Sequence, residues 1–246
     1  MSENLIVHGM ILFQSAVGEN DKRMVVLTKE RGKITVFARG GRRPGNAALA
    51  LGPFATGEFE VYEGRNAYTL GKANISNYFR ELSLYPDKAY LGFYFLELAS
   101  YYAVENADES ALINLLYVSL RAIEKSLLEL SLIRRVFELK LLSIEGEYPN
   151  VFQCVTCGTK ENLNYFSFEK RGVHCEECKK SDDYLLTKSC LYTLQYIITE
   201  ELSKIYAFNI TDEVKEQFIY VVGKYFNMYV GHNFKSLEVL ESIGLK

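Results

Sequence analysis

Two short stretches carry the clearest chemistry in the chain: "CVTCG", with Cys154 and Cys157, and "HCEEC", with Cys175 and Cys178. A Cys-x-x-Cys pair on a tight reversal lets two thiolates reach one ion, and Gly158 directly after the first pair suits that reversal. The pairs are separated by 17 residues, the spacing of a zinc ribbon, and four thiolates complete a closed tetrahedral site. One structural Zn2+ is expected, its role being to fold a segment too short to bury a core of its own. With all four positions filled by protein, no coordination site is left for a catalytic water. A reducing cytosol disfavours a pair of disulfides, and iron–sulfur clusters use other spacings. His174 adjoins Cys175 and is read as a bystander; Cys190, inside a predicted helix, is read as a small buried hydrophobe.

A second set of residues is cationic. "ITVFARGGRRPGN", Ile34 to Asn46, starts like a strand and ends in a loop that holds Arg39, Arg42 and Arg43 among Gly40, Gly41 and Gly45. Along the strand, Ile34, Val36 and Ala38 share one face while Lys33, Thr35, Phe37 and Arg39 share the other. Cations for phosphates and a π-face for stacking are what a nucleic-acid surface needs, and the glycines would leave the loop backbone pliable. An ordinary exposed sheet face ending in a solvated turn has the same composition, and both readings stand at this point. The charge balance bears on the choice. Net charge is -3, yet residues 1–80 hold 11 cations against 7 anions and the remainder 17 against 24. A basic front on an acidic body places any polyanion at the N-terminal end.

The elements that must position these residues fall into two textures. Across residues 4–80, "RMVVLT", "KITVFAR", "GEFEVYE" and "AYTLGKANI" are rich in β-branched and aromatic residues, with turn-forming stretches between them. About five short strands predict a small sandwich or barrel, with the OB-fold a candidate. Beyond residue 82 the periodicity is helical, with Asp108, Thr187 and Thr211 as expected N-caps. Gly146 and Pro149 interrupt it before the cysteine segment. The helices on either side of that segment are expected to form one bundle into which it is inserted. The fold class is thus α+β and multidomain: residues 1–80 a barrel and the candidate nucleic-acid-binding domain, 81–150 the first part of a helical domain, 151–184 the metal module, and 185–246 the second helical part.

Hydrophobic residues make up 48% of the 246 and aromatics 13%, ample for packed cores. No apolar run is long enough for a bilayer span, and "MSENLIVHGMILF" lacks a cationic start, so a cytoplasmic protein without a signal peptide is expected. Walker, nucleophile-elbow and His-Glu-x-x-His motifs do not occur, and His8, His174 and His232 sit in no local catalytic pattern. A binding protein, not an enzyme, is the expectation.

Several stretches together resemble the bacterial RecO family of recombination mediators. "GENDKRMVVLTKERGKITVFARGGRRPGN" and "LGPFATGEFEVYEGRNAYTLGKANI" resemble its OB domain. "RVFELKLLSIEGEYPNVFQCVTCG" is similar to the family's helix leading into the first cysteine pair, and "YFNMYVGHNFKSLEVLESIG" to its C-terminal end. The resemblance covers nearly the whole chain in order. It implies an OB domain, a helical domain and a four-cysteine zinc module. It also implies binding of single- and double-stranded DNA, strand annealing, and contact with the acidic C-terminal tail of single-strand-binding protein (SSB). With the partner RecR, such proteins help load the RecA recombinase. On the matching positions, Lys29, Arg31, Lys33, Phe37, Arg39, Arg42 and Arg43 become candidate DNA contacts. Arg134, Arg135 and Lys140 become candidate cations for the tail, a solvated helix face being the other reading of those three. A zinc-stabilised scaffold acting through protein–protein contacts is the alternative to DNA binding.

Overall fold

The computed structural model describes residues 4–242 and 244. Five strands, β1 (Asn4–Val17), β2 (Asp21–Thr28), β3 (Gly32–Ala38), β4 (Thr56–Glu63) and β5 (Tyr68–Asn77), close into a barrel of order β1-β2-β3-β5-β4. All neighbours are antiparallel except β3 and β5. This is an OB-like barrel. Its closure depends on β1, whose first half pairs with β4 and second half with β2, around a register shift between Ile11 and Phe13. A bulge there sharpens the local twist, which a strand needs to serve both edges. Alternate residues point inward: Val7, Ile11, Met24, Val26, Ile34, Val36, Phe59 and Val61 form one apolar core.

Among the described residues six α-helices follow: α1 (Pro86–Tyr102), α2 (Ser110–Glu124), α3 (Leu130–Ile144), α4 (Lys188–Thr199), α5 (Asp212–Tyr229) and α6 (Lys235–Ser242). Thr187 and Thr211 cap α4 and α5 through their side chains, as the sequence predicts. Between α3 and α4, the strands β6 (Tyr165–Ser167), β7 (Gly172–His174) and β8 (Tyr184–Leu185) make a small sheet of order β7-β6-β8.

Compactness divides the chain into two units. In one, α1, α2 and α6 accompany the barrel; the chain up to Glu124 and the segment from Phe234 belong to it. The other, Lys125–Asn233, packs α3, α4 and α5 with the cysteine segment. The segments bounded at residues 80, 150 and 184 follow changes of sequence texture and remain a proposal about functional division. Among the described residues, no helix is long and apolar enough to cross a membrane.

Candidate nucleic-acid interface and metal centre

The β2–β3 hairpin sets the cationic residues. Its register places Arg23 opposite Phe37 and Val25 opposite Thr35. Lys33, Thr35 and Phe37 are half-buried on the outer face, while Ile34, Val36 and Ala38 are buried, the alternation expected from the sequence. Arg23 shares that outer face, and its guanidinium reaches Thr35 Oγ1 at 3.5 Å. Arg23 is not among the candidates expected from the sequence, but the alternation of "RMVVLT" sets it on the side opposite Met24 and Val26.

Strand β3 then separates the candidate cations into two groups. Lys29, Arg31 and Lys33 lie around its start, and Arg39, Arg42 and Arg43 follow its end, roughly 20 Å away at the rise of a strand. The first group is partly committed. Lys33 Nζ donates to the Ser100 carbonyl at 2.6 Å, holding the end of α1. Lys29 lines a groove of about 940 Å³ with His8, Glu58, Asn74 and Tyr117. Near that groove, His8 pairs with Glu30 at 2.8 Å and Glu58 at 3.5 Å.

The second group is the exposed one. Arg39, Arg42 and Arg43 are all exposed, and none forms an ion pair among the described residues. The Arg42 guanidinium donates to the Gly18 carbonyl, at 3.4 Å. Where the glycines suggested a pliable finger, the loop that carries them is folded into closed turns. Its backbone closes a series of turns, Gly41 to Ala38 at 3.1 Å, Arg43 to Gly40 at 2.9 Å and Asn46 to Arg43 at 3.1 Å. Asp21 Oδ1 accepts from the Gly40 amide at 2.7 Å, and the Asn20 carbonyl from the Arg42 amide at 2.9 Å. Gly40 stands at φ 61° and Gly45 at φ 85°, the left-handed region that glycine enters without steric cost. The glycines thus fix the path of the loop.

Lys22 supports it from below. The side chain turns inward and is buried, and Nζ donates to the carbonyls of Ala48, Leu49 and Leu51 at 2.9, 3.2 and 2.8 Å. Burial lowers its pKa from the ordinary lysine value. Counted among the cations of the basic front, it is unavailable to a ligand.

Helix α3 treats its cations differently. Every residue from Leu132 to Leu142 is buried, so the solvated-face reading of Arg134, Arg135 and Lys140 is incorrect. Arg134 Nε meets Glu138 Oε1 at 2.9 Å and Arg135 Nη1 meets Glu138 Oε2 at 2.7 Å. Gly223 on α5 makes room for Arg135, since a Cβ there would lie 2.7 Å from the guanidinium carbon. Burial alone would raise the Glu138 pKa; Arg135 and Arg134 outweigh it and hold the carboxyl below its ordinary value. Lys140 Nζ donates to the carbonyls of Ile198 and Glu200 at 2.9 and 2.7 Å, closing the end of α4. All three cations are engaged within their own unit.

The cysteine segment gathers the four predicted ligands. The Sγ atoms of Cys154, Cys157, Cys175 and Cys178 all lie within 4.8 Å of one another. Cys157 and Cys175 are 3.7 Å apart, far beyond a disulfide and close to the ~3.8 Å edge of a tetrahedron with metal–sulfur bonds of about 2.3 Å. Each pair sits on its own turn, with Gly158 N donating to Cys154 O at 2.9 Å and Cys178 N to Cys175 O at 3.1 Å. Burial opposes ionisation of Cys154, but amides of Cys157, Cys175 and Thr156 prevail and lower its pKa to about 6. Those amides favour a first thiolate at Cys154, while the neighbouring Cys157, Cys175 and Cys154 push the Cys178 thiol up to about 12. His174 is outside the set: fully buried, it holds Asp183 Oδ2 through Nδ1 at 2.7 Å. Cys190 is also outside it, its thiol pushed up to about 12 by burial. Four convergent sulfurs fit one metal ion.

Comparison with known proteins agrees along the chain. The family "Recombination protein O N terminal" matches residues 1–79, and "Recombination protein O C terminal" matches residues 85–238. The DNA repair protein RecO of Alkaliphilus metalliredigens is 30% identical over 96% of this chain and 98% of its own length. That of Acetivibrio thermocellus is 27% identical over 96% and 95%, and that of Bacillus pumilus 28% over 96% and 93%. With both halves matched and relatives aligned end to end, the chain belongs to the RecO family of DNA repair proteins.

Proposed function

We propose that the chain is a nonenzymatic mediator that binds single- and double-stranded DNA and promotes annealing of complementary strands. With RecR it helps load RecA onto DNA coated by SSB, in the cytoplasm. The observation that carries the DNA contact is the loop of Arg39, Arg42 and Arg43: three exposed guanidiniums without carboxylate partners, on a backbone held in place by Asp21 and Asn20. Phe37 and Arg23 continue the surface along the sheet, and Arg31 and Lys29 stand at its far end. A backbone already held in turns leaves chiefly side-chain entropy to be lost when the guanidiniums meet phosphates. The buried engagement of Arg134, Arg135 and Lys140 argues against a tail contact through those side chains, so the SSB contact is left without assigned residues.

The cysteine site is proposed to hold one Zn2+, whose filled tetrahedral shell would staple the turns of residues 151–184 and supply no chemistry to substrate. Metal analysis should approach one zinc per chain, and the Cys154→Ser, Cys157→Ser pair should lose it. A zinc content near zero in the undamaged protein overturns this assignment.

The test of function is a salt titration of binding to a labelled oligonucleotide. Affinity should fall steeply with salt and depend little on sequence. Replacing Arg39, Arg42 and Arg43 together by Ala should weaken binding and flatten the salt slope by about 2 on single strands, if each neutralises a phosphate. The scaffold reading draws on an apolar groove of about 340 Å³ beside Phe13 and Phe93. No oligonucleotide binding at low salt, alone or with RecR, would favour it.

A further inference from the structure

The unit that holds the cysteine cluster has unneutralised cations of its own, and they rest on aromatic rings. Tyr220 and Lys224 stand four residues apart on α5, hence on one face of the helix. Lys224 Nζ lies 4.2 Å from the Phe168 ring centre and 5.7 Å from that of Tyr220. Tyr184 packs against Tyr220 with ring centres 4.8 Å apart. Arg171, in the turn between β6 and β7 at φ 53°, holds its guanidinium 3.8 Å from the Tyr229 ring centre. That left-handed conformation is costly for a side-chain-bearing residue.

Neighbouring cations in the same segment are neutralised: Lys170 pairs with Glu169 at 3.2 Å, and Lys179 with Glu176. Arg171 and Lys224 form no ion pair among the described residues and are exposed. A ring under a cation leaves its charge intact, with N–H groups still facing solvent. Tyr220 is 46% exposed, with Tyr184 tilted against its ring and Phe168 set edge-on to it at 6.2 Å. Glu216, one turn before Tyr220 on α5, would repel a phosphate and marks one end of the surface.

We propose that Tyr220, Lys224 and Arg171 form a second contact for single-stranded DNA, bases stacking at Tyr220 and phosphates meeting Lys224 and Arg171. The proposal rests on the DNA-binding reading above. It commits to single strands because only unstacked bases offer their faces to a tyrosine. The cysteine module then has a mechanical part in binding, since its hairpin carries Arg171 to the helix.

The test uses the full chain with its metal, a labelled oligothymidylate, and a duplex of equal length. Tyr220→Ala should weaken single-strand binding about fivefold or more, with duplex affinity little changed. Lys224→Gln and Arg171→Gln should each flatten the single-strand salt slope by about 0.7, and Lys224→Arg should restore it. Metal content and melting temperature measured alongside separate a lost contact from a misfolded module. Wild-type affinity and slope in Tyr220→Ala and Lys224→Gln, with the Arg39/Arg42/Arg43 variant weakened, overturn this contact alone. Equal losses on single strand and duplex for Tyr220→Ala overturn the stacking role. A wild-type chain that binds no oligonucleotide removes the function reading and this contact with it.

Discussion

Arginines occur in adjacent pairs at two places, Arg42–Arg43 after β3 and Arg134–Arg135 in α3, and the two pairs have opposite fates. Those of the barrel loop are exposed with no carboxylate attached; those of α3 are buried on Glu138. Composition does not distinguish them. The difference lies in what the backbone places nearby: in α3, Glu138 follows at i+4 and i+3, the spacings that bring helix side chains together. At the loop, the Asp21 carboxylate is spent on the Gly40 amide, and none of the loop's arginines forms an ion pair among the described residues. A guanidinium is available to a ligand where local geometry leaves it unpaired, and the sequence distance to an acid is the first thing to inspect.

The largest effect expected from this contrast is at Glu138. Glu138→Ala would leave two buried guanidiniums without their shared anion, a defect of about 3–5 kcal/mol, read as a lower denaturation midpoint. Oligonucleotide affinity of the folded fraction should stay within twofold of wild type; a large loss of affinity without loss of stability would reverse the roles assigned to the two pairs. The pH dependence carries the same sign. The folded-state pKa of Glu138 is held below its ordinary value, so its stabilisation is complete above the ordinary carboxylate range. It drains away as pH falls through the lower folded value. Glu138→Gln should be less stable than wild type at neutral pH and lack that part of the acid-side decline.

Lys22 gives an intermediate effect and sharpens the contrast within the barrel itself. Lys22→Met keeps the bulk but strips the donors from three carbonyls after the basic loop, costing about 1–3 kcal/mol. It should also weaken single-strand binding modestly, by loosening the support of a loop it never leaves, with the salt slope unchanged. A slope reduced as much as for an exposed arginine would mean that Lys22 meets phosphate directly.

How far these differences were legible follows from which interactions are local. The alternation of "KITVFAR" set the inner and outer faces of β3, and the cysteine spacing marked the four thiols that converge, because both depend on a few consecutive residues. The paired state of Arg134 and Arg135 was also written in the i+3 and i+4 positions, yet resemblance to a partner-binding helix drew the reading elsewhere. The commitments of Lys22 and Lys140 were not legible. Their acceptors are carbonyls 26 to 29 and 58 to 60 residues away, and no sequence pattern marks a backbone oxygen as needing an ammonium. The rigidity of the basic loop was hidden for the same reason, since Asn20 and Asp21 reach it across the hairpin.

The smallest effect on stability is expected at Arg39, Arg42 and Arg43, and its smallness is the point. Exposed side chains without ion-pair partners contribute to folding within about ±0.5 kcal/mol each. Removing three like charges from one loop also relieves mutual repulsion, so the triple alanine variant should melt at or slightly above the wild-type temperature. The same variant should show the reduced DNA affinity and flatter salt slope described above. Loss of binding with no loss of stability marks charges kept for a ligand, as loss of stability with binding preserved would mark those of α3. A triple variant that melted several degrees lower would place these arginines in the fold after all, and the distinction between the two pairs would then rest on burial alone.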